Sequence, residues 1–228
     1  MNPKPHHHRR LAIIFVKAPK IGQVKSRLTT HLDERSVLKL YKSFATDVIE
    51  AVKQQVDLLK ICYHPAKEEP LIKEWLGNTF EYEPQSGRHL GERMKNAFRN
   101  TFSEDHGKAI LVGTDIPELP EAVIDEAFWK MDHGMPVIGP ARDGGYYLIG
   151  FRRDRFMDQI FDDIPWGTSR VFSDTLATFE QLKCNVHVLP QCLDIDTYED
   201  LMELSVNLRA GENGAKNTTV CLQSLGLM

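Results

Sequence analysis

The sequence predicts an α/β domain built on a mostly parallel, doubly wound sheet. Three observations carry that expectation. Compact apolar runs of strand length recur at residues 11–16 (LAIIFV), 57–63 (DLLKICY) and 108–113 (KAILVG). Between them lie stretches whose apolar residues repeat at spacings near three and four, the period of a helix face. Strand and helix then alternate along the chain, and strands joined through helices pair in parallel. A length of 228 residues fits one large domain, and 42% hydrophobic with 26% charged residues is ordinary for a globular chain.

Each element follows from local chemistry. Residues 17–22, KAPKIG, form a loop, because Pro19 disfavours helix at Ala18 and Gly22 frees the backbone. Residues 23–53 read as one helix, with Leu28, Leu32, Leu40, Phe44, Val48 and Val52 on its apolar face. Residues 65–77 read as a helix ended by its glycine, and Phe80 with Tyr82 as a short edge strand. Further helices are expected over 90–102, 119–131, 169–182 and 198–208. Short strands are expected over 136–139, 146–151 and 185–189. The domain spans residues 1–209. Residues 210–228, rich in Gly, Asn and Thr and without periodicity, are expected to be a loosely attached tail.

Composition narrows the function classes. A net charge of −4 argues against a nucleic-acid partner, which calls for a basic footprint. No apolar run reaches the ~18 residues of a membrane span, and 11–16 is too short for a signal-peptide core. A cytoplasmic protein is expected. His6, His7 and His8 read as a flexible end rather than a metal tract, and the four cysteines, which lack CxxC spacing, as reduced thiols.

Six segments carry chemistry. In KAPKIGQVKSRL, Lys17, Lys20, Lys25 and Arg27 place four cations within eleven residues, where a strand enters a helix. Backbone donors, a small residue and fixed positive charge suit a polyphosphate. A solvated basic turn is the alternative. In LVGTDIP an apolar strand delivers Asp115 to the sheet edge, where ligands bind in open α/β folds. It suits a magnesium ligand, or else a helix cap. DIDTYEDL puts Asp194, Asp196, Glu199 and Asp200 within seven residues. Thr197 and Asp200 have capping-box spacing, which leaves Asp196 free to face a metal. If the strands preceding Asp115 and Asp196 are parallel, both acids emerge at one edge.

The other three segments are GPARDGGYYLIG, with Gly144 and Gly145 after Asp143 and before Tyr146; IPWGTSR, with Trp166, Ser169 and Arg170; and QSGRHLGERM, with Gly87, Arg88 and Arg93. Each fits either ligand contact or a turn and cap.

Taken together, and in this order from about residue 11 to 204, these segments resemble the bacterial glycosyltransferase-like family of radical-SAM/selenodomain-associated transferases. That family is related to the GT-A-fold nucleotide-diphospho-sugar transferases, including the phospholactate and molybdenum-cofactor guanylyltransferases. The resemblance implies a three-layer, Rossmann-like α/β/α fold with a mixed, mainly parallel sheet. It implies a nucleotide held by Lys17, Gly22, Lys25, Arg27, Gly87 and Arg93. Asp115 and Asp196 would hold Mg or Mn, with Asp115 and Asp143 catalytic. Gly144, Gly145, Tyr146, Trp166 and Ser169 would line the donor and acceptor pocket. VKAPKIG stands where true nucleotidyltransferases have LxGGxG, Ile21 replaces an expected proline and Arg142 an expected acid.

Glycosyl transfer from a nucleotide-diphospho-sugar to a small-molecule acceptor is therefore the expected reaction. Nucleotidyl transfer from a nucleoside triphosphate, releasing pyrophosphate, uses the same loop and metal and is the alternative. A catalytically silent nucleotide-binding module would be expected to lose Asp115 and Asp196, and both are present.

Overall fold

The computed structural model describes residues 9–211 and 214–228; His6, His7 and His8 lie outside them. Strand β1 (Leu11–Lys17) is the axis of the fold. Ala12, Ile14 and Val16 pack on one side of it and Leu11 and Ile13 on the other, as a strand covered on both faces requires. It pairs in parallel with β2 (Leu58–His64) and β4 (Lys108–Val112), and β3 (Glu81–Pro84) continues the sheet beyond β2. On the far side, β6 (Tyr146–Arg152) runs antiparallel between β4 and β5 (Val137–Pro140), and the two-residue β7 (His187–Val188) pairs in parallel with β5. The order is β3-β2-β1-β4-β6-β5-β7.

The sheet is thus mixed and mainly parallel, with β6 the reversed strand among the described residues. An all-parallel alternation fails at β6 for a simple reason. A parallel crossover needs about a dozen residues or more, whereas β5 and β6 are joined by residues 141–145 alone. The Asp143–Gly144 turn, with Gly144 at φ 90°, makes a hairpin instead.

Helices cover both faces. α1 (Glu34–Gln55), α2 (Glu69–Leu76) and α4 (Glu121–Asp132) bury Val48, Val52, Ile72, Ile124 and Phe128 against one face. α3 (Leu90–Ser103) and α5 (Val171–Gln181) bury Met94, Phe98, Phe102 and Phe179 against the other. The helix expected from residue 23 begins only at Glu34. Residues Ser26–Thr30 form a 3-10 turn, and the Asp33 carboxylate caps α1 by accepting from the N–H groups of Arg35 and Ser36. A strong N-cap inside a continuous apolar period divides it in two. The helix expected from residue 65 likewise opens with a 3-10 turn, Ala66–Glu68.

The loosely attached tail is corrected. After α6 (Tyr198–Ala210), α7 (Lys216–Ser224) docks on α1. Ala215, Cys221 and Leu222 join Leu40 and Phe44 of α1 and Leu201, Leu204 and Leu208 of α6 in a third core. Buried Asp47 accepts from the Asn217 and Thr218 N–H groups, at 2.9 and 2.8 Å, and from the Thr218 hydroxyl at 2.6 Å. The buried face of α7 is small and partly polar, so it leaves no hydrophobic period in the sequence. The four cysteines are free thiols, and among the described residues no helix is long and apolar enough to cross a membrane.

Asp47→Ala should strip these buried donors of their acceptor, at a cost of about 1–3 kcal/mol. In a chain of this size each kcal/mol lowers the melting temperature by roughly 2–4 °C. Thermal unfolding of the variant checks it; an unchanged transition would mean that the cap does not hold α7.

Candidate functional site

The C-terminal ends of β1, β2 and β4 and the start of β6 meet at one edge of the sheet, around a cavity of about 640 Å³. The first wall is the β1 loop. Buried Tyr41 of α1 clamps the end of β1: its hydroxyl accepts from Lys17 N and donates to Lys17 O, both at 2.8 Å. Gly22 takes φ 71°, and a Cβ there would lie 2.9 Å from the Glu34 carboxylate. Lys25 then adopts the left-handed conformation, φ 46° and ψ 44°, which costs a non-glycine residue on the order of 1 kcal/mol or more. Its side chain is only 6% exposed.

The second wall carries the acids. β4 is followed by Gly113, buried Thr114 and Asp115, which is 48% exposed. The DIDT segment lies alongside, because Ile195 N–H donates to Asp115 O at 2.9 Å. The segment alternates: Ile195 is fully buried in the third core, while Asp194 and Asp196 face other ways. Asp194 accepts from Arg142 N at 2.9 Å and Asp143 N at 3.3 Å. The expected capping box is present, with Asp200 accepting from Thr197 N at 2.8 Å and Thr197 Oγ1 accepting from Asp200 N at 3.2 Å. Asp196 is left to face the cavity.

Asp115 and Asp196 therefore meet, and the ammonium between them belongs to Lys25, 2.7 Å from an Oδ1 of each. Arg27, largely exposed, reaches the other Asp196 oxygen at 3.4 Å. Lys25 is thus no solvated turn residue. Burial works against its charge, yet the two carboxylates beside it hold its pKa above the usual lysine value. Burial likewise pushes Asp196 up, but Lys25 and Arg27 outweigh it, so its carboxyl sits below the ordinary range. Asp194 is raised, by burial first and then by the neighbouring Asp143. Asp143, Asp194 and Asp196 each offer an oxygen within 4.8 Å of the others, a geometry able to hold a cation.

The remaining walls come from β6 and α3. A register shift at Gly139/Pro140 pairs Pro140 with Tyr146 and leaves Tyr147 as an extra residue. Both tyrosines line the cavity, beside a bulge of the kind that recurs next to active sites; the Tyr147 hydroxyl donates to Pro190 O at 2.9 Å. Arg93 also lines it, its Nε donating to Gly87 O at 3.2 Å. Gly87, at φ 138°, makes the tight turn into α3, where a Cβ would meet Glu92.

The expected site residues divide accordingly. Lys17, Lys25, Arg27, Arg93, Asp115, Tyr146 and Asp196 line the cavity. Gly22, Gly87, Gly144 and Gly145 shape turns around it, and Asp143, exposed, accepts from Gly145 N at 2.7 Å at its rim. Trp166 and Ser169 stand behind the wall: the Trp166 indole covers Gly91 and meets Tyr146 edge-on, and the Ser169 carbonyl lies against Gly144.

Sequence reasoning missed Tyr41, His64, Gln85 and Tyr147, all of which line the cavity. Gln85 donates to Cys62 O at 2.8 Å. His64 is held below the usual histidine pKa by burial, then by Arg93 and Lys17. The strand-end rule would have found His64; Tyr41 was hidden in the apolar period of α1.

Residues 48–168 match the family described as "Uncharacterized protein conserved in bacteria (DUF2064)". A crystal structure from Desulfovibrio desulfuricans G20, provisionally called a nucleotide-diphospho-sugar transferase, is 33% identical, with a TM-score of 0.90 over 96% of both chains. The 2-phospho-L-lactate guanylyltransferase of Methanocaldococcus vulcanius is 23% identical over 94% of this chain and 91% of its own length. Rv0371c of Mycobacterium tuberculosis H37Rv, crystallised as a complex with manganese, shares the fold at a TM-score of 0.53 and 12% identity, over 86% of this chain and 97% of its own. The fold is thus the three-layer, Rossmann-like architecture of this transferase superfamily.

The ion cluster sets a pH dependence. The folded pKa of Asp196 is depressed, so its stabilising contribution is present above the unfolded value near 3.8 and is lost as pH falls through the folded value. Lys25 is raised above 10.5, so its contribution is complete below that pH and lost as pH rises through the folded value. The gap in urea midpoint between wild type and Asp196→Asn should therefore close on acidification below 3.8. A gap that stays constant across that range would show that the carboxylate contributes nothing through its charge.

Proposed function

We propose that this chain, which belongs to the bacterial family DUF2064, is a metal-dependent transferase that moves a glycosyl group from a nucleotide-diphospho-sugar to a small-molecule acceptor. One observation carries the reading: Asp115 and Asp196 converge on the Lys25 ammonium of the basic β1 loop, in the lining of a cavity of about 640 Å³. The name given to the Desulfovibrio relative supports it, as do the six ordered motifs, which point more finely to the radical-SAM/selenodomain-associated transferases.

The residues fit a divalent metal. The converging donors are carboxylate oxygens, the hard ligands that Mg and Mn take, and the manganese complex of Rv0371c shows that a protein of this fold accommodates such an ion. Asp115 and Asp196 would hold it. When bound, it supplies charge neutralisation for the departing diphosphate. Lys17, Arg27 and Arg93 would bind the phosphates, with Gly22 and Gly87 letting the backbone approach. Tyr146, packed on Trp166, would orient the sugar, and Gly144 and Gly145, braced by Ser169, would shape the acceptor side. Asp143, at the rim of that turn, would accept the proton of the acceptor hydroxyl.

The guanylyltransferase relative, similar over nearly both lengths, favours a second reading in which an acceptor phosphate attacks a nucleoside triphosphate. The products separate the two. Incubated with panels of nucleotide sugars and nucleoside triphosphates plus magnesium or manganese, the protein should release a nucleoside diphosphate from a sugar donor. Pyrophosphate from a triphosphate would replace the first reading with the second, and neither product would leave a binding module.

Arg27→Ala removes a charge-assisted contact worth about 1.5–3 kcal/mol, so nucleotide affinity should fall about tenfold or more. The ligand-free melt should not move, because the side chain is 70% exposed. Unchanged affinity in calorimetry would remove Arg27 from the nucleotide site.

A further inference from the structure

The geometry points to Lys25 as an internal stand-in for the metal, which holds the two acidic ligands together until a divalent ion displaces it and then moves onto the phosphates of the nucleotide. The inference rests on the proposed metal-dependent reaction and assigns this lysine the coupling between metal and nucleotide.

Space is the first argument. The ammonium lies 2.7 Å from one oxygen of Asp115 and 2.7 Å from one of Asp196. A magnesium ion bound to the same two oxygens would sit about 2.0–2.1 Å from each, between them and therefore where the ammonium is. Two cations cannot share that position, so an ion held by those two oxygens, unlike one held by Asp143, Asp194 and Asp196, requires Lys25 to leave. The second argument is construction. The backbone of Lys25 is held in the left-handed region, and its side chain is buried rather than spread over the surface like that of Arg27. A lysine at this point is also a flexible point charge, able to change partners as a planar guanidinium is not.

The third argument is where the charge goes. Lys17, Arg27 and Arg93 line the same cavity, and their charge would draw a diphosphate into it. A displaced ammonium without nucleotide leaves two carboxylates for water and adds to that positive field. With nucleotide present it exchanges two carboxylates for phosphate oxygens. Metal alone should therefore bind weakly, nucleotide should strengthen it, and the effect should be reciprocal. A lysine that served solely as a phosphate ligand would leave metal binding without nucleotide unaffected.

The test is a manganese titration followed by electron paramagnetic resonance of the free ion, on wild type and Lys25→Met, with and without a panel of nucleoside diphosphates. In Lys25→Met, manganese alone should bind about tenfold or more tightly than in wild type, and the enhancement by nucleotide should shrink correspondingly. Equal manganese affinity and equal enhancement in the two proteins would overturn the inference while leaving the metal-dependent reaction standing. Manganese bound by neither protein, even with diphosphates present, would overturn the proposed reaction itself. A second measurement needs no variant. Under reductive methylation, read residue by residue by mass spectrometry, Lys25 of wild type should react slowly without metal and several-fold faster at saturating manganese alone. Protection that persists at saturation would show that the ammonium stays between the acids, and would equally overturn the inference.

Discussion

Two ionised carboxylates brought together repel one another unless a cation lies between them, and the arrangement of this sheet edge follows from meeting that condition. Asp115 and Asp196 are brought together by the Ile195–Asp115 backbone bond, and the ammonium of Lys25 neutralises both. The β1 loop must then bend sharply enough to drive a lysine inward, which it does through the left-handed Lys25 and a strand end fixed by the Tyr41 hydroxyl. A buried ion pair of this kind is a weak source of stability. What it provides is a position for charge, held before any ligand arrives.

The reversed strand does comparable work on the other side of the cavity. Because β6 returns from β5 through a short turn, residues 141–145 stay at the same edge as the ends of the parallel strands. A parallel β6 would have carried its first residues to the opposite edge and left the cavity open. The bulge at Tyr147 keeps both tyrosines among the residues that line the cavity, while their rings brace its wall from opposite faces of the sheet. Asp194, lodged between the two segments, ties the 142–143 backbone to the DIDT turn.

Support for the acids extends to the last helix of the chain. Ile195 is buried among α1, α6 and α7, so the core that α7 completes is the same core that anchors the segment carrying Asp196. The buried Asp47 caps α7 from α1. The segment that carries the Asp196 carboxylate thus shares its core with a helix at the far end of the sequence, none of whose residues lines the cavity.

The sequence by itself determined the fold class, the central strands and most helices, because an apolar run or a three-four period is a local signal. It placed Asp115 at the end of a parallel strand, and Asp196 at the same edge only on the condition that its preceding strand ran parallel too; Asp196 lies well beyond β7, and the bond from Ile195 N–H to Asp115 O is what sets it beside Asp115. The capping box at Thr197 and Asp200 was legible as a local signal: its hydrogen bonds span three residues. Three further features were left to the tertiary structure. The direction of β6 turned on the competition between a short hairpin and a crossover. The docking of α7 relied on a buried carboxylate from α1, with no periodicity of its own to announce it. The partner of Lys25 was settled by the summed field of two carboxylates far apart in sequence, and no local pattern records where a side chain finds its countercharge.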